Sequence, residues 1–166
     1  MSDWFSKRNV FNKLTAPYED RMVRIWAHRP DGTSRWIEGF RVGDGIWLGE
    51  NAEVDPAARI EGPVVIGANC RIEAGARIDG YTVLGNDVVV KSDAVVERSI
   101  CHDHVYIGRS VRMRGATVGR STDIRTFALL EEGVVLGDEC FIGEHAVVNT
   151  GVKVYPFKTV DDDAVV

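Results

Sequence analysis

The chain has 166 residues, of which 45% are hydrophobic and 27% charged, and its formal net charge at pH 7 is −5. This balance is typical of a globular protein and excludes a disordered or collagen-like chain. The acidic charge disfavours a nucleic-acid binder, and no apolar run approaches the ~18 residues of a membrane-spanning helix. The three cysteines cannot all pair with one another, so we expect reduced thiols and a cytoplasmic location.

The composition changes near residue 46. All four tryptophans lie within the first 47 residues. Residues 1–45 contain eight basic and six acidic side chains, whereas residues 46–166 contain twelve basic and nineteen acidic ones. The sequence therefore predicts an N-terminal cap or linker over 1–45 and a separate domain over 46–166.

The N-terminal region is expected to be partly helical. Thr15-Ala16-Pro17 is typical of the boundary between two short helices. The apolar residues around it recur at helical intervals: Trp4, Phe11, Leu14, Tyr18, Met22, Ile25 and Trp26. A turn at Pro30-Asp31-Gly32 precedes a predicted strand from Ser34 to Phe40. We expect this region to cover the open first coil of the domain that follows.

A six-residue repeat governs the domain. Aliphatic residues return at this interval with two one-residue shifts, namely Leu48, Val54, Ile60, Ile66, Ile72, Ile78, Leu84, Val90, Val96, Cys101, Ile107, Met113, Val118, Ile124, Leu130, Leu136, Ile142, Val148, Val154, Val160 and Val166. A second column, two residues earlier, holds mostly Ala, Val, Cys, Thr or Ser. Since alternate residues of a strand share a face, each unit directs one large and one small side chain inward.

Three short strands per turn then give a triangular prism, and 21 units make about seven coils. At the ~4.8 Å spacing of neighbouring strands, the prism is roughly 34 Å long. Glycines such as Gly49 and Gly67 mark the bends, while Asn51, Asn69 and Asp87 form a corner column suited to left-handed backbone. The predicted fold is an all-β parallel β-helix.

Two sequence patterns, a short repeat and a longer series of motifs, connect this domain to known families. The pattern [LIV]-G-x-x-[STAVC]-x resembles the hexapeptide repeat, which implies a left-handed helix. From residue 39 onward, GFRVGDGIWLGENAEVDPAARIEGPVVIG, SICHDHVYIG, MRGATVGRS, EEGVVLGDECFIGEHAVV and GVKVYPFKTV occur in order. Residues 39–166 are therefore similar to the C-terminal β-helix of mannose-1-phosphate guanylyltransferases, most closely to bacterial forms fused to a phosphomannomutase-like domain.

The resemblance implies an assembly, regulatory or spacer module of a nucleotidyltransferase that makes GDP-mannose. In that family catalysis and Mg²⁺ binding belong to a separate nucleotide-binding domain, so we expect this chain alone to be non-catalytic and to hold no cofactor. The implied partners are a covalently or non-covalently attached catalytic domain and further copies of the chain, joined through the faces or ends of the β-helix.

A trimeric hexapeptide acyltransferase is the alternative. Acyl transfer requires a positioned imidazole base, for which His104 or His145 is the candidate. The histidines lack the paired spacing of γ-carbonic anhydrases, which leaves zinc chemistry a minor alternative. We expect Cys70, Cys101 and Cys140 to pack inside the helix. Five arginines gather in two turns, which indicates either an anion site or a solvated face balanced by acids: Arg109, Arg112, Arg114, Arg120 and Arg125.

Overall fold

The computed structural model describes residues 22–28, 34–43 and 45–166, the first two ranges by their backbone alone. These residues form 22 strands, of which the last twenty are short and build a parallel β-solenoid. None of them belongs to a helix that could cross a membrane. The all-β prediction for the domain is confirmed.

The strands form three sheets, one on each side of the prism. Sheet A contains β1 (Met22–His28), β2 (Ser34–Gly43), β3 (Ile46–Leu48), β6 (Val64–Ile66), β9 (Thr82–Leu84), β12 (Ile100–Cys101), β15 (Thr117–Val118), β18 (Val135–Leu136) and β21 (Lys153–Val154). Sheet B contains β4 (Glu53–Val54), β7 (Arg71–Ile72), β10 (Val89–Val90), β13 (Tyr106–Ile107), β16 (Asp123–Ile124), β19 (Phe141–Ile142) and β22 (Thr159–Val160). Sheet C contains β5 (Arg59–Ile60), β8 (Arg77–Asp79), β11 (Val95–Glu97), β14 (Arg112–Arg114), β17 (Leu129–Leu130) and β20 (Val147–Val148).

Each solenoid strand pairs in parallel with its equivalents one coil away. Backbone hydrogen bonds join the coils at the corners as well, for example from Gly49 N to the carbonyl oxygen of Ile66 at 2.7 Å. Six coils are complete, and the third side of the seventh is formed by an isolated bridge between Val147 and Val165. The predicted number of about seven coils agrees with this arrangement.

The interior contains the two predicted columns. Large inward side chains such as Ile78 and Ile107 have no exposed surface. The small column includes three buried hydroxyl residues, and each donates to a nearby carbonyl oxygen: Thr82 to Asp79 at 2.6 Å, Ser99 to Glu97 at 2.7 Å, and Thr122 to Gly137 at 3.1 Å. Their polar atoms are thus satisfied without disturbing the apolar packing.

Close contact between coils explains the glycines that follow the inward aliphatic residues. A Cβ on Gly67 would lie 2.4 Å from the carbonyl oxygen of Gly85 in the next coil. The corner column has positive φ values, which confirms the left-handed prediction for Asn51 (64°), Asn69 (58°) and Asp87 (56°). Glycine therefore permits close approach at one corner position, while short polar residues supply the left-handed bend at another.

Two five-residue units explain the register shifts in the sequence. Both lie at the corner that leads from sheet C to sheet A, at Arg98 and at Gly115 one coil later. Gly115 N donates to the carbonyl oxygen of Glu97 at 2.9 Å, and Ala116 N donates to Ser99 Oγ at 3.1 Å. Because the shortened corners stack on one another, the shape of the prism is preserved.

The helical prediction was wrong for the segment that begins at Met22. That segment is β1, which pairs antiparallel with β2, and β2 pairs antiparallel with β3 at the edge of sheet A. In a stretch this short, the spacing of the apolar residues fits both the helical period and the strand period. Val23, Ile25 and Trp26 favour a strand, because β-branched and aromatic side chains are enriched there. The strand predicted for Ser34–Phe40 is confirmed and extends to Gly43. The other predicted helix, from Trp4 to Leu14, lies outside the described residues.

A matched pair of substitutions on β11 tests the inward and outward assignment. Val96 is fully buried, so Val96→Asp should lower the stability by several kcal/mol, because it buries an unpaired carboxylate. Val95 points outward between Arg77 and Arg112 in the neighbouring strands, so Val95→Asp should change the stability by less than about 0.5 kcal/mol. Thermal unfolding measures both; equal losses in the melting temperature would contradict the assignment.

Candidate functional site

His104 lies at the corner between sheets A and B in the fourth coil. Its φ of 60° places it in the left-handed column that also holds Asn51, Asn69 and Asp87. His104 Nε2 is 3.6 Å from Asp87 Oδ2 in the preceding coil, and both side chains are largely exposed. A carboxylate beside an imidazole can orient the ring, which is the arrangement that a general base requires.

His145 lies at a different corner, between sheets B and C in the sixth coil, with φ of 57°. Its ring stacks on Phe127 with centroids 5.0 Å apart and planes inclined by 13°. The guanidinium carbon of Arg109 is 5.9 Å from the centre of the same Phe127 ring. The three side chains therefore form an exposed column along that corner.

The structure does not bring His104 and His145 together, because they occupy different corners two coils apart. The catalytic role of either residue stays a prediction. In the part of the chain that the structure describes, no three His, Cys, Asp or Glu side chains are grouped so as to hold a metal ion.

The five arginines are distributed over several sides of the prism, and acids accompany three of them. Arg114 Nε is 3.8 Å from Glu97, Arg120 Nη2 is 3.9 Å from Asp138, and Arg125 Nη2 is 2.9 Å from Asp123. Arg112 lines an open groove of about 610 Å³ on sheet C, together with other arginines and glutamates. These contacts agree with the interpretation of a solvated face balanced by acids.

All three cysteines are buried and free, as expected for core residues. Burial raises the pKa of the Cys101 thiol to about 12 and that of Cys70 to about 11. Cys70 Sγ donates to the carbonyl oxygen of Gly85 at 3.0 Å, and Cys140 Sγ donates to that of Tyr155 at 3.2 Å. Because thiolate is the nucleophilic form, burial disfavours nucleophilic attack by Cys70 and Cys101 at neutral pH.

Sequence reasoning missed the partners of the two histidines. Asp87 is 17 residues before His104, and Phe127 is 18 residues before His145, which is one coil in each case. The signal was present in the repeat, because residues three positions after an inward aliphatic residue stack from coil to coil. Aligning the corner positions of successive coils would have revealed both contacts.

Asp123 on sheet B is a carboxyl group whose pKa is perturbed by its surroundings. Its Oδ1 atom is buried without a hydrogen-bond partner, while Oδ2 lies 2.9 Å from Arg125 Nη2. Desolvation raises the pKa of Asp123 above its usual range, and the charge of Arg125 opposes that rise. A raised pKa means that the ionised side chain is less favourable in the folded state than in the unfolded state.

We expect Asp123→Asn to raise the melting temperature at neutral pH. The folded protein binds the Asp123 proton more tightly than the unfolded chain, so wild-type stability from this group falls as pH rises through its folded pKa. The advantage of the variant should therefore shrink as the solution is acidified. Asp138→Asn is the control. Asp138 Oδ1 already accepts a hydrogen bond from Arg120 N at 2.7 Å, so removing this carboxylate should not raise the melting temperature. A lower melting temperature for Asp123→Asn at pH 7 would contradict this account.

Solved structures with similar folds include acetyltransferases. The acetyltransferase domain of PglB from Neisseria gonorrhoeae FA1090 is 21% identical with a TM-score of 0.64, and the match covers 68% of this chain and 55% of that one. A mutant of perosamine N-acetyltransferase from Caulobacter crescentus, in complex with CoA and GDP-perosamine, is 19% identical with a TM-score of 0.55, covering 70% and 52%. A hexapeptide transferase family protein from Anaplasma phagocytophilum is 18% identical with a TM-score of 0.57, covering 66% and 73%.

At these identities the likeness shows the fold alone, and the chain spans about half the length of the first two structures. No curated protein matches the sequence. The model of the GMPPB C-terminal domain matches residues 42–166, which include all of the solenoid coils. The chain therefore belongs to the GMPPB C-terminal domain family.

Proposed function

We propose that this chain is a non-catalytic solenoid module of a mannose-1-phosphate guanylyltransferase-like protein, and that it serves assembly or regulation in nucleotide-sugar synthesis. The match of residues 42–166 to the GMPPB C-terminal domain is the observation that supports this function best. The parent reaction converts GTP and mannose 1-phosphate into GDP-mannose and pyrophosphate. We assign that chemistry, with its Mg²⁺, to a partner catalytic domain that is either fused or separate.

The surface charges support a structural role, because many of them pair along the solenoid axis. Arg71 Nε is 3.3 Å from Glu53 Oε2 one coil earlier, Lys91 Nζ contacts Glu73, and Arg114 pairs with Glu97. Each pair links two successive coils on one side of the prism. Individually such exposed pairs contribute little to stability, but repeated along the axis they favour a stiff rod. A stiff rod suits a module that spaces or docks other domains.

Reduced cysteines support a cytoplasmic location for the module. Cys70, Cys101 and Cys140 are all buried and unpaired in the structure. Free thiols of this kind persist in a reducing compartment. Nucleotide sugars are the product class of the proposed parent enzyme, and we place their synthesis in the same compartment.

Acyl transfer is the second candidate function, and the pair formed by His104 and Asp87 is the observation that favours it. An imidazole that is 3.6 Å from a carboxylate is a plausible general base for an acyl acceptor. The similar folds of the acetyltransferases are compatible with this candidate, but they are equally compatible with any other function of a hexapeptide-repeat protein. The first candidate function requires no chemistry from His104, whereas acyl transfer requires His104 as the general base.

Complementation in the source organism separates the two functions. Deleting the coding sequence should lower the cellular GDP-mannose pool, measured by mass spectrometry, because the catalytic partner loses its module. His104→Ala should restore the pool as fully as wild type does. Val96→Asp should fail to restore it, since the module no longer folds. An unchanged pool in the deletion strain would overturn the proposed function, and a folded His104→Ala variant that fails to restore the pool would contradict the non-catalytic role.

Calorimetric titration of the purified chain tests ligand binding directly. We expect no measurable heat with GTP, mannose 1-phosphate or acetyl-CoA, since binding of the first two belongs to the catalytic domain. Saturable acetyl-CoA binding that is lost in His104→Ala but kept in His145→Ala would establish the acyltransferase alternative. Binding that is lost in His145→Ala but kept in His104→Ala would also establish the acyltransferase alternative, with His145 as the base.

A further inference from the structure

Two of the five arginines of the fourth and fifth coils have no acidic partner within residues 45–166. Arg109 lies on the corner between sheets B and C, and Arg112 lies three residues later on β14. The ion pairs of this part of the chain include neither of them, nor Asp93, the acid on the same corner one coil earlier. The guanidinium carbon of Arg109 instead lies 5.9 Å from the centre of the Phe127 ring. Two neighbouring guanidinium groups are thus left without an ion pair on a chain whose net charge is −5.

Arg112 is exposed and lines the open groove on sheet C between two aliphatic neighbours. Val95 is its partner in the strand one coil before, and Leu129 is its partner in the strand one coil after. Neither of these side chains can form a hydrogen bond with the guanidinium. A guanidinium is weakly hydrated, and its planar N–H groups match the two oxygens of a carboxylate. The position of Arg112 therefore suits a carboxylate supplied from outside the chain.

The other charged side chains that line the groove already have partners among the described residues. These contacts are the pair of Arg77 with Asp79 at 2.7 Å, the pair of Arg114 with Glu97 at 3.8 Å, the pair of Glu132 with Arg98 at 3.2 Å, and the hydrogen bond from the hydroxyl of Thr150 to Glu131 at 2.8 Å. Arg112 is the exception. The groove therefore contains one positive charge that none of its own acids neutralises by direct contact.

The length of the groove indicates what kind of ligand fits it. The groove extends from Arg77 in the second coil to Thr150 at the end of the sixth. Four steps between coils at ~4.8 Å span about 19 Å, which is the length of about six residues of extended chain. A small anion would occupy only the space beside Arg112, whereas an extended segment would also contact Val95 and Leu129. The shape therefore favours an extended polypeptide segment over a small anion.

We propose that the groove on sheet C binds an extended acidic segment of another protein, with a carboxylate on Arg112 and apolar side chains against Val95 and Leu129. Charge complementarity identifies the segment as acidic, and arginine is one of the residues that most often dominate the energy of an interface. The proposal goes beyond the function proposed above and rests on the groove alone.

The charges along the groove also set the orientation of the segment. Glu131 and Glu132 line the part of the groove that belongs to the fifth coil, where they would repel an acidic side chain. Arg109 lies on the corner beside Arg112 and extends the basic surface there. The acidic residues of the segment therefore lie toward the fourth coil, and uncharged residues lie beside the two glutamates.

Titration of the isotope-labelled full chain with synthetic peptides, followed by amide NMR, tests the proposal. The probes are two acetylated and amidated hexapeptides, Glu-Glu-Leu-Leu-Ser-Ser and its reverse, because the groove does not determine the direction of the bound chain. We expect at least one of them to shift the amide signals of Val95, Arg112 and Leu129 in a saturable way. Peptides with lysine in place of glutamate should leave these signals unchanged, because Arg112 repels them.

A matched pair of charge reversals tests the role of Arg112. Arg112→Glu should raise the dissociation constant of the acidic peptide at least about tenfold, because it replaces an attraction by a repulsion. Arg71→Glu makes the same change on sheet B, where Arg71 does not line this groove, and should leave the constant unchanged. Added salt should weaken binding to wild type, since the contact is between exposed charges. Melting temperatures show whether both variants are folded.

Several outcomes would overturn the proposal. Neither acidic peptide shifting the three signals, or equal shifts with the lysine peptides, would exclude an acidic segment, and equal binding by Arg112→Glu would place the contact elsewhere. Saturation of the same signals by inorganic phosphate at equal concentration would indicate a site for a small anion. Self-association of wild type that Arg112→Glu abolishes would assign the groove to a second copy of the chain. An unchanged GDP-mannose pool in the deletion strain would refute the proposed function and leave peptide binding intact.

Discussion

Backbone hydrogen bonds between successive coils determine nearly every other feature of this molecule. Glu53 N donates to the carbonyl oxygen of Cys70 at 2.8 Å, Arg71 N donates to that of Val88 at 2.9 Å, and the pattern continues along each sheet. Because buried backbone groups must be satisfied, each coil has to follow the path of its neighbours. That requirement leaves no space for a Cβ at positions such as Gly67, and it confines the interior to one large and one small side chain per unit.

The same constraint determines what the surface can do. Each two- or three-residue strand of the coils presents one or two outward side chains, so outward residues of successive coils form straight columns. Interactions along a column are contacts between residues about one coil apart, as in the pair of His104 with Asp87 and the stack of His145 on Phe127. The surface chemistry of the described residues is consequently organised by the faces and corners of the prism.

The sequence predicted most of the domain because its period is imposed by the backbone. The inward columns, the left-handed corners and the two shortened units all follow from one repeat, and the structure agrees with each. The repeat does not govern the segment before Ile46, where Met22–His28 forms a strand whose apolar spacing also fits a helix. Contacts across coils at the corners, including the partner of His104, required a comparison of positions one coil apart. The role of a face depends on what covers it, which no single-chain pattern specifies.

The placement of the two histidines bears on the choice between the two candidate functions. His104 and His145 are exposed at different corners of the prism, two coils apart. An acyl acceptor at either corner would contact this chain from one side only, so a second surface would have to complete a catalytic cleft. The proposed structural role requires no such second surface at the histidines.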